Sequence, residues 1–528
     1  MQNNNEHINY RTHQIRIKKG HRLYNYFYDH ATKAKNMYNV TNFYFRQIMT
    51  AMKSNQALQP LQQQVIDEIK THLPQMNVVQ QLTHEKKLSK ELLKPIDERK
   101  EVKLTLFKEP TAKKPYVSYR FLDSLLKCMD QVDYRTLPTQ TTQAIMKLVF
   151  QDWKSFFEAI KDYKQHPQKY RGQPKIPRYK KKDSLKEIVY SNQSAVITCC
   201  GKYLSLPMTK TKLNIGKLGI HIQQSNGLNS LKQVCVIPSH DGFVVELVVE
   251  VEAPPVLQTD NERYMSIDLG TDRLATLVTN TGMRPILING KSIKSLNQRY
   301  NKQVAHYKSI LRQGLQPNKG THTSKRLDRL HQKRQDQIKD LFHKATHQIV
   351  TIARQECICK VVIGVNRGWK QHSNMGTQNN QTFCFIPHAM LINQLRYKLE
   401  AVGIELIEQE ESYTSKASFV TKDDLPMFDP TNRMHPSFSG YRKSRGLYQQ
   451  KGSKTTIHAD VNGAANILRK ALPNAFDGSC ANGITGLSLA SFGTRSVKRA
   501  KNHFAWHCEY DDIKLAGIVS TPLVLSLR

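Results

Sequence analysis

The tightest constraint on the fold lies in residues 264–280, YMSIDLGTDRLATLVTN. Residues 264–267 form a β-prone apolar run that stops at Asp268, turns through Gly270 and resumes as a second strand at 274–278. This pattern predicts a hairpin with one carboxylate at the mouth of a strand and a glycine that lets backbone or phosphate come close. Such a carboxylate suits a divalent cation, a hard ion that calls for oxygen ligands. An aspartate capping its own turn is the alternative reading of the same residues.

Charge narrows the partners. Among 528 residues, 79 lysines and arginines face 43 acidic residues, for a formal charge of +36. A folded chain tolerates that self-repulsion most readily when a polyanion neutralises it, and nucleic acid is the polyanion expected. A membrane is disfavoured because no apolar run approaches the roughly 20 residues needed to span one. The N-terminal MQNNNEHINYRTHQ lacks the apolar core of a signal peptide, so a cytoplasmic protein is expected. The nine cysteines form no CxxC pair, so neither a disulfide framework nor a zinc knuckle is legible in them.

Along the chain, residues 13–19 alternate like a strand, and 21–52 carry apolar residues at helical spacing. The tyrosines of that helix (Tyr24, Tyr26, Tyr28, Tyr38, Tyr44) are read as packing residues, with base stacking as the alternative. Residues 54–115, rich in Gln, Lys and Glu, are expected to be an elaborated or partly mobile insertion. A second helix follows Pro138, its buried stripe running from Ile145 through Trp153 to Ile160. The basic, Pro-punctuated stretch 164–182 interleaves Tyr170 and Tyr179 with cations, which suits a single-stranded nucleic-acid path. Strand signals dominate 188–252. Beyond the 264–280 hairpin come a basic helical region (291–354), a buried strand (359–364), an amphipathic helix (386–402) and a strand at 404–407. A short strand then reaches Asp460 and turns into a helix.

That order of elements can build an RNase H-like α/β sheet, in which side chains far apart in sequence meet at one edge. Two or three carboxylates there can hold two Mg²⁺ ions about 3.5–4 Å apart for phosphodiester hydrolysis. Actin-like ATPases also carry a DLGT string, but no second Gly-rich phosphate loop accompanies it here. The pieces LPTQTTQAI, GQPKIPRYKKK, IDLGT, VVIGVNRGWKQ, FIPHAMLINQLRYKLEAVGIEL, ESYTSKAS and HADVNGAANI, in this order, span roughly residues 10 to 470. Together they resemble the TnpB (OrfB) proteins of bacterial insertion sequences, RNA-guided nucleases related to type V CRISPR effectors.

The resemblance implies an α+β multidomain chain: a β-barrel wedge, a helical recognition lobe and an RNase H-like (RuvC) α/β nuclease domain. Its expected division is a wedge strand at 1–20, a helical recognition lobe at 21–170 and the wedge β-barrel at 171–258. The RuvC nuclease follows at 259–411 and 456–472, interrupted by a target-binding insertion at 412–455 and followed by a tail at 473–528. The implied activity is Mg²⁺-dependent cleavage of double-stranded DNA beside a short adjacent motif, directed by a guide RNA. A separate transposase of the same element is a further implied partner.

Two departures from the family pattern matter. Where the second nuclease motif usually carries Glu, this chain has Gly364, which has no side chain to bind a metal. Glu411, in EESYTSK, resembles the relocated glutamate of eukaryotic Fanzor relatives. Alternation along a strand sends Glu410 and Glu411 to opposite faces, and Glu411 is the preferred ligand. Second, no cysteine lies between Ser412 and His458, so no zinc is expected. The leading expectation is a two-metal Mg²⁺ site of Asp268, Glu411 and Asp460. Lys175, Arg178, Tyr179, Lys180, Lys181, Arg326, Arg334, Lys344, Trp369, Lys370, Arg442 and Arg445 are the expected nucleic-acid contacts. The alternative is a nuclease-inactive RNA-guided DNA-binding protein, a repressor or targeting factor. A strand-joining transposase is disfavoured, since no HUH-like motif accompanies a nucleophilic tyrosine.

Overall fold

The computed structural model describes residues 9–477 and 523–526, apart from 55, 199, 225–228, 252–259, 317–318, 367–375, 428–435, 445 and 454–455. The chain divides into two compact units, Met1–Ala253 and Pro254–Arg528. No described helix is long and apolar enough to cross a membrane.

The first unit begins with strand β1 (Asn9–Lys18) and helices α1 (Tyr24–Lys53), α2 (Pro60–Leu92), α3 (Tyr119–Cys128), α4 (Val132–Arg135) and α5 (Thr139–Gln165). Strands β2 (Ile188–Ser191), β3 (Val196–Thr198), β4 (Tyr203–Ser205), β5 (Leu213–Asn214), β6 (Ser230–Ser239) and β7 (Gly242–Val251) complete it. Alternation in β7 buries Phe243, Val245, Leu247 and Val249 on one face. The strand pairs antiparallel with β1 over its whole length. The sheet order is β1-β7-β6-β2, and β3-β4-β5 form a separate small sheet. Among the described residues β1 and β2 end this strand order, and β2 is only four residues long.

Helices α1 and α5 pack through Phe45, Ile48, Ile145, Val149 and Trp153, and the Trp153 indole N–H donates to Asn42 Oδ1 at 2.8 Å. Tyr38 and Tyr44 are buried, so packing accounts for both, whereas Tyr28 is half exposed. Residues 60–92, inside the stretch expected to be an elaborated or partly mobile insertion, are one 33-residue helix. Its burial (Val65, Ile66, Ile69, Met76) stops before the second half, where Val78, Leu82 and Leu92 face outward. A periodic apolar signal fades where the covered face becomes polar, as at Asn77 and His84, which bond Phe107 and the Val102 carbonyl.

The second unit carries strands β8 (Tyr264–Leu269), β9 (Arg273–Thr279) and β10 (Ile286–Asn289), then helices α6 (Lys291–Leu311) and α7 (Lys325–Gln355). After these come β11 (Lys360–Gly364), α8 (Thr377–Cys384), α9 (His388–Glu400), β12 (Glu405–Gln409), β13 (Gly440–Ser444), β14 (Leu447–Gln450), β15 (Thr456–His458), α10 (Ala459–Ala471) and β16 (Leu523–Ser526). The main sheet has the order β12-β11-β8-β9-β10-β16. Strands β8, β9 and β10 are successive antiparallel neighbours, whereas β11 runs parallel to both β8 and β12. The tail, which had no assigned role, supplies β16, parallel to β10.

Period-two alternation explains why this sheet is covered twice. Met265, Ile267, Val361 and Ile363 pack with Phe342, Ile349, Leu395 and Leu399 of α7 and α9. Val278 and Val362 pack on the opposite face with Val461, Ala464, Ile467 and Leu468 of α10. A separate ribbon, β13-β14-β15, leads into α10. The Asp423 carboxylate braces its approach, accepting from Ser418 N (2.9 Å), Ser439 N (2.9 Å) and Ser439 Oγ (2.7 Å).

Candidate metal centre and nucleic-acid contacts

Each candidate carboxylate sits where a regular element ends. Asp268 is the fifth residue of β8, opposite Thr276 in the hairpin register. Gly364 ends β11 and pairs with Gln409, the last residue of β12, so Glu411 emerges two residues beyond, beside Gly364. Asp460 lies in the first turn of α10. Asp268, Glu411 and Asp460 line one cleft of about 830 Å³, together with Asn366, Arg442 and His458.

Two glycines give this cleft its shape. A Cβ on Gly364 would lie 2.7 Å from Glu411 Oε2 and 2.6 Å from Ile467 Cδ1. The Glu411 carboxylate therefore fills the space left by the missing side chain, and Asn366 Nδ2 holds it by donating to Oε1 at 3.1 Å. A Cβ on Gly463 would lie 3.0 Å from Asp268 Oδ2, so α10 approaches β8 at the height of that carboxylate. Ser266 Oγ, which donates to Ala464 O at 2.7 Å, fastens the two elements two residues before Asp268.

Glu410 and Glu411, which follow the end of β12, turn to different partners. Glu410 turns to α10, where Lys470 Nζ donates to its Oε2 at 2.6 Å and Ser412 N donates to its Oε1 at 2.7 Å. Burial works to raise Glu410, but these bonds outweigh it and hold the carboxyl below its ordinary value. Glu411 behaves oppositely: burial, with the Glu410 charge next to it, pushes it up to about 7. Burial, then the charges of Glu411 and Asp460, push Asp268 well above the usual carboxylate range, and Arg442 opposes them. Crowded acids that resist ionisation gain most from a divalent cation.

The donor set fits a hard cation, since three carboxylates supply only oxygen. Among the described residues, no three His, Cys, Asp or Glu side chains are already gathered as a metal cage, so the carboxylates share a cleft and do not close on a point. Arg442 Nη2 donates to Asp460 Oδ1 at 3.2 Å. His458 Nδ1 is buried without a hydrogen-bond partner.

The expected nucleic-acid residues fall into distinct settings. Residues 171–182 run irregularly along α1, held by Asn39 and Asn42 through the carbonyls of Lys180 (3.0 Å) and Pro177 (3.2 Å). Lys175, Arg178, Tyr179 and Lys181 are exposed, while Lys180 is half-buried with its ammonium 4.6 Å from the Tyr38 ring centre. Arg326 stacks over Tyr307 at 4.4 Å, and Lys344 pairs with Asp340 at 3.0 Å. Arg334 is engaged inside the fold, donating to Asn297 Oδ1 and Phe385 O at 2.7 Å each. Trp369, Lys370 and Arg445 lie outside the described residues. Residue-type reasoning did not single out Asn366, Gly463, His458 or Lys470. The signal available for two of them was their place in VVIGVN and DVNGAAN, beside the candidate ligands.

Two family descriptions match this chain, one over each part of the candidate centre. A probable transposase, OrfB_IS605, matches residues 246–370, which include Asp268. A Cas12f1-like TNB domain matches residues 388–467, which include Glu411 and Asp460. Over these stretches the chain is TnpB-like. No curated protein sequence matches it. It is similar to Cas12f1 in an sgRNA–target DNA complex, with 12% identity, 87% of this chain and 98% of that chain covered, and a TM-score of 0.43. It is also similar to the mini-RNA-guided endonuclease CRISPR-Cas_phi3, with 10% identity, 67% and 86% covered, and a TM-score of 0.34. For Alicyclobacillus acidoterrestris C2c1 with single-guide RNA the identity is 9%, the coverage 84% and 70%, and the TM-score 0.29.

Proposed function

We propose that this protein is an RNA-guided DNA endonuclease with a RuvC-type, RNase H-like centre formed by Asp268, Glu411 and Asp460. The observation that carries the reading is the Glu411 carboxylate in the space beside Gly364, lining one cleft with Asp268 and Asp460 while Glu410 turns to Lys470. The OrfB and TNB matches support a nuclease of this kind, and the charge of +36 supports polyanionic partners.

The three carboxylates would hold Mg²⁺, which supplies an activated water and a stabilised leaving oxygen when two ions are bound. Asp268 and Glu411 give up their protons to do so. Asn366 fixes the orientation of Glu411 by occupying one of its oxygens. Arg442, released from Asp460, brings a planar guanidinium to the cleft that suits a scissile phosphate. Exposed cations hold the guide and the target backbones without reading sequence, and base pairing with a guide RNA reads the target strand. Recognition of a short adjacent motif belongs to the same proposal.

The test is plasmid cleavage in Mg²⁺ by the purified ribonucleoprotein, with the target designed from its sequenced RNA. Wild type cuts, chelation of the metal stops cutting, and Glu411→Ala is inactive. Undiminished cutting by Glu411→Ala refutes the assignment of Glu411. Gly364 is the feature that favours a nuclease-inactive, RNA-guided binding protein, and tight guide-dependent DNA binding by a wild type that never cuts selects that reading.

A further inference from the structure

The relocation of the acidic ligand to Glu411 raises a mechanical problem. Gly364 is on β11, inside the sheet, whereas Glu411 lies beyond the end of β12, an edge strand of the main sheet as described. A ligand there lacks the two flanking strands that would fix a side chain on β11. Something else must hold the segment against the rest of the cleft.

Helix α10 provides that hold. Asn462, Asn466 and Lys470 recur every four residues, so they share one face of the helix whose first turn carries Asp460. Asn462 donates to Ala417 O at 2.7 Å and accepts from Phe419 N at 2.9 Å. Asn466 donates to Thr414 O (2.9 Å) and Ala417 O (2.8 Å). Lys470 donates to Glu410 Oε2 (2.6 Å), Ser412 O (3.0 Å) and Pro426 O (3.2 Å). The Lys470 side chain is only 6% exposed, and these three acceptors match the three donors of an ammonium. Its grip falls on the residues immediately before and after Glu411.

We propose that Lys470 is a positioning residue for the metal centre: with Glu410 it clamps the backbone on both sides of Glu411 to the helix that carries Asp460. The clamp makes the distance between the second and third carboxylates a property of one helix. It also gives Glu410 a role of its own, as the anchor that leaves Glu411 free to face the cation. This rests on the reading of Glu411 as a metal ligand.

The test is a double-mutant cycle read by Mn²⁺ binding to the full-length protein, followed by electron paramagnetic resonance. Thermal unfolding in chelator checks that each variant is folded. The clamp variant Lys470→Met/Glu410→Leu removes both charges, so neither is left buried alone. Glu410→Gln keeps the side-chain shape and an acceptor oxygen for the Lys470 ammonium, and repeats the test at a single position. The clamp variant is expected to bind Mn²⁺ about tenfold more weakly, the scale on which supporting groups tune metal sites. Combined with Glu411→Gln it should cause no further loss, because the clamp acts only through that carboxylate. Unchanged affinity in the clamp and Glu410→Gln variants overturns the proposal, and so does a loss that adds in full to that of Glu411→Gln. If Glu411→Gln alone binds Mn²⁺ like wild type, the reading of Glu411 as a ligand fails and the clamp loses its purpose with it.

Discussion

At the scale of single residues, the centre depends on what Gly364 lacks. A methyl group there would press on both the Glu411 carboxylate and Ile467. Gly364→Ala should therefore weaken Mn²⁺ binding and cleavage by about tenfold, and lower stability by roughly 1–3 kcal/mol through overpacking. Calorimetric unfolding alongside metal titration separates the two effects. Protonation gives a second expectation. Between the ordinary glutamate value of 4.5 and about 7, the folded chain keeps a proton on Glu411 that the unfolded chain has lost. Stability of the metal-free protein should thus fall as pH rises through that window and level off above it. Metal affinity should rise across the same window, because the proton must leave before the cation binds. Glu411→Gln should remove its contribution to both trends, as seen in denaturation and Mn²⁺ titrations at several pH values. The sequence exposed Asp268 and Asp460 through their local patterns. Alternation separates Glu410 from Glu411 without choosing between them, and the choice of Glu411 comes from the resemblance of EESYTSK to a relocated glutamate; the space at Gly364 depends on Ile467, more than a hundred positions away.

At the scale of elements, the hairpin of β8 and β9, the parallel strands β11 and β12, and the turn from β15 into α10 were all legible, because each is a short apolar run bounded by turn residues. Less local features were not. The second half of α2 is a helix whose covered side is polar, Asn77 bonding Phe107 and His84 the Val102 carbonyl, and β16 joins the sheet from more than 200 residues beyond its partner β10. Hydrogen bonding redistributes roles among the cations of α6 and α7. Arg299, Lys333 and Arg334 all line a cleft of about 610 Å³ between the two helices, but the Arg334 guanidinium is engaged by Asn297 of α6 and by the Phe385 carbonyl. Arg334→Ala should cost about 1.5–3 kcal/mol of stability, the scale of a hydrogen-bonded charge, and leave the salt dependence of nucleic-acid binding unchanged. Arg299→Ala and Lys333→Ala should do the reverse, each reducing the slope of log K against log salt by about 1. Filter binding at several salt concentrations, with unfolding midpoints for the same variants, distinguishes the two kinds of residue.

At the scale of the whole molecule, the excess of 79 basic over 43 acidic residues and the cleft of carboxylates pull in opposite directions. The first gathers polyanions, and the second needs divalent cations before a phosphate can come near it. Arg442 brings one cationic side chain to Asp460, at 3.2 Å. Base pairing, rather than the protein surface, supplies sequence specificity in this account. The proposed centre requires Asp268, Glu411 and Asp460 to converge on one pair of ions. The most direct measurement is anomalous X-ray scattering from crystals of the protein soaked in Mn²⁺. Two peaks about 3.5–4 Å apart are expected, within ligand distance of all three carboxylates, with Glu410 still on Lys470. A cleft that stays empty at saturating Mn²⁺, or an ion held by Glu410 in place of Glu411, would contradict that proposal.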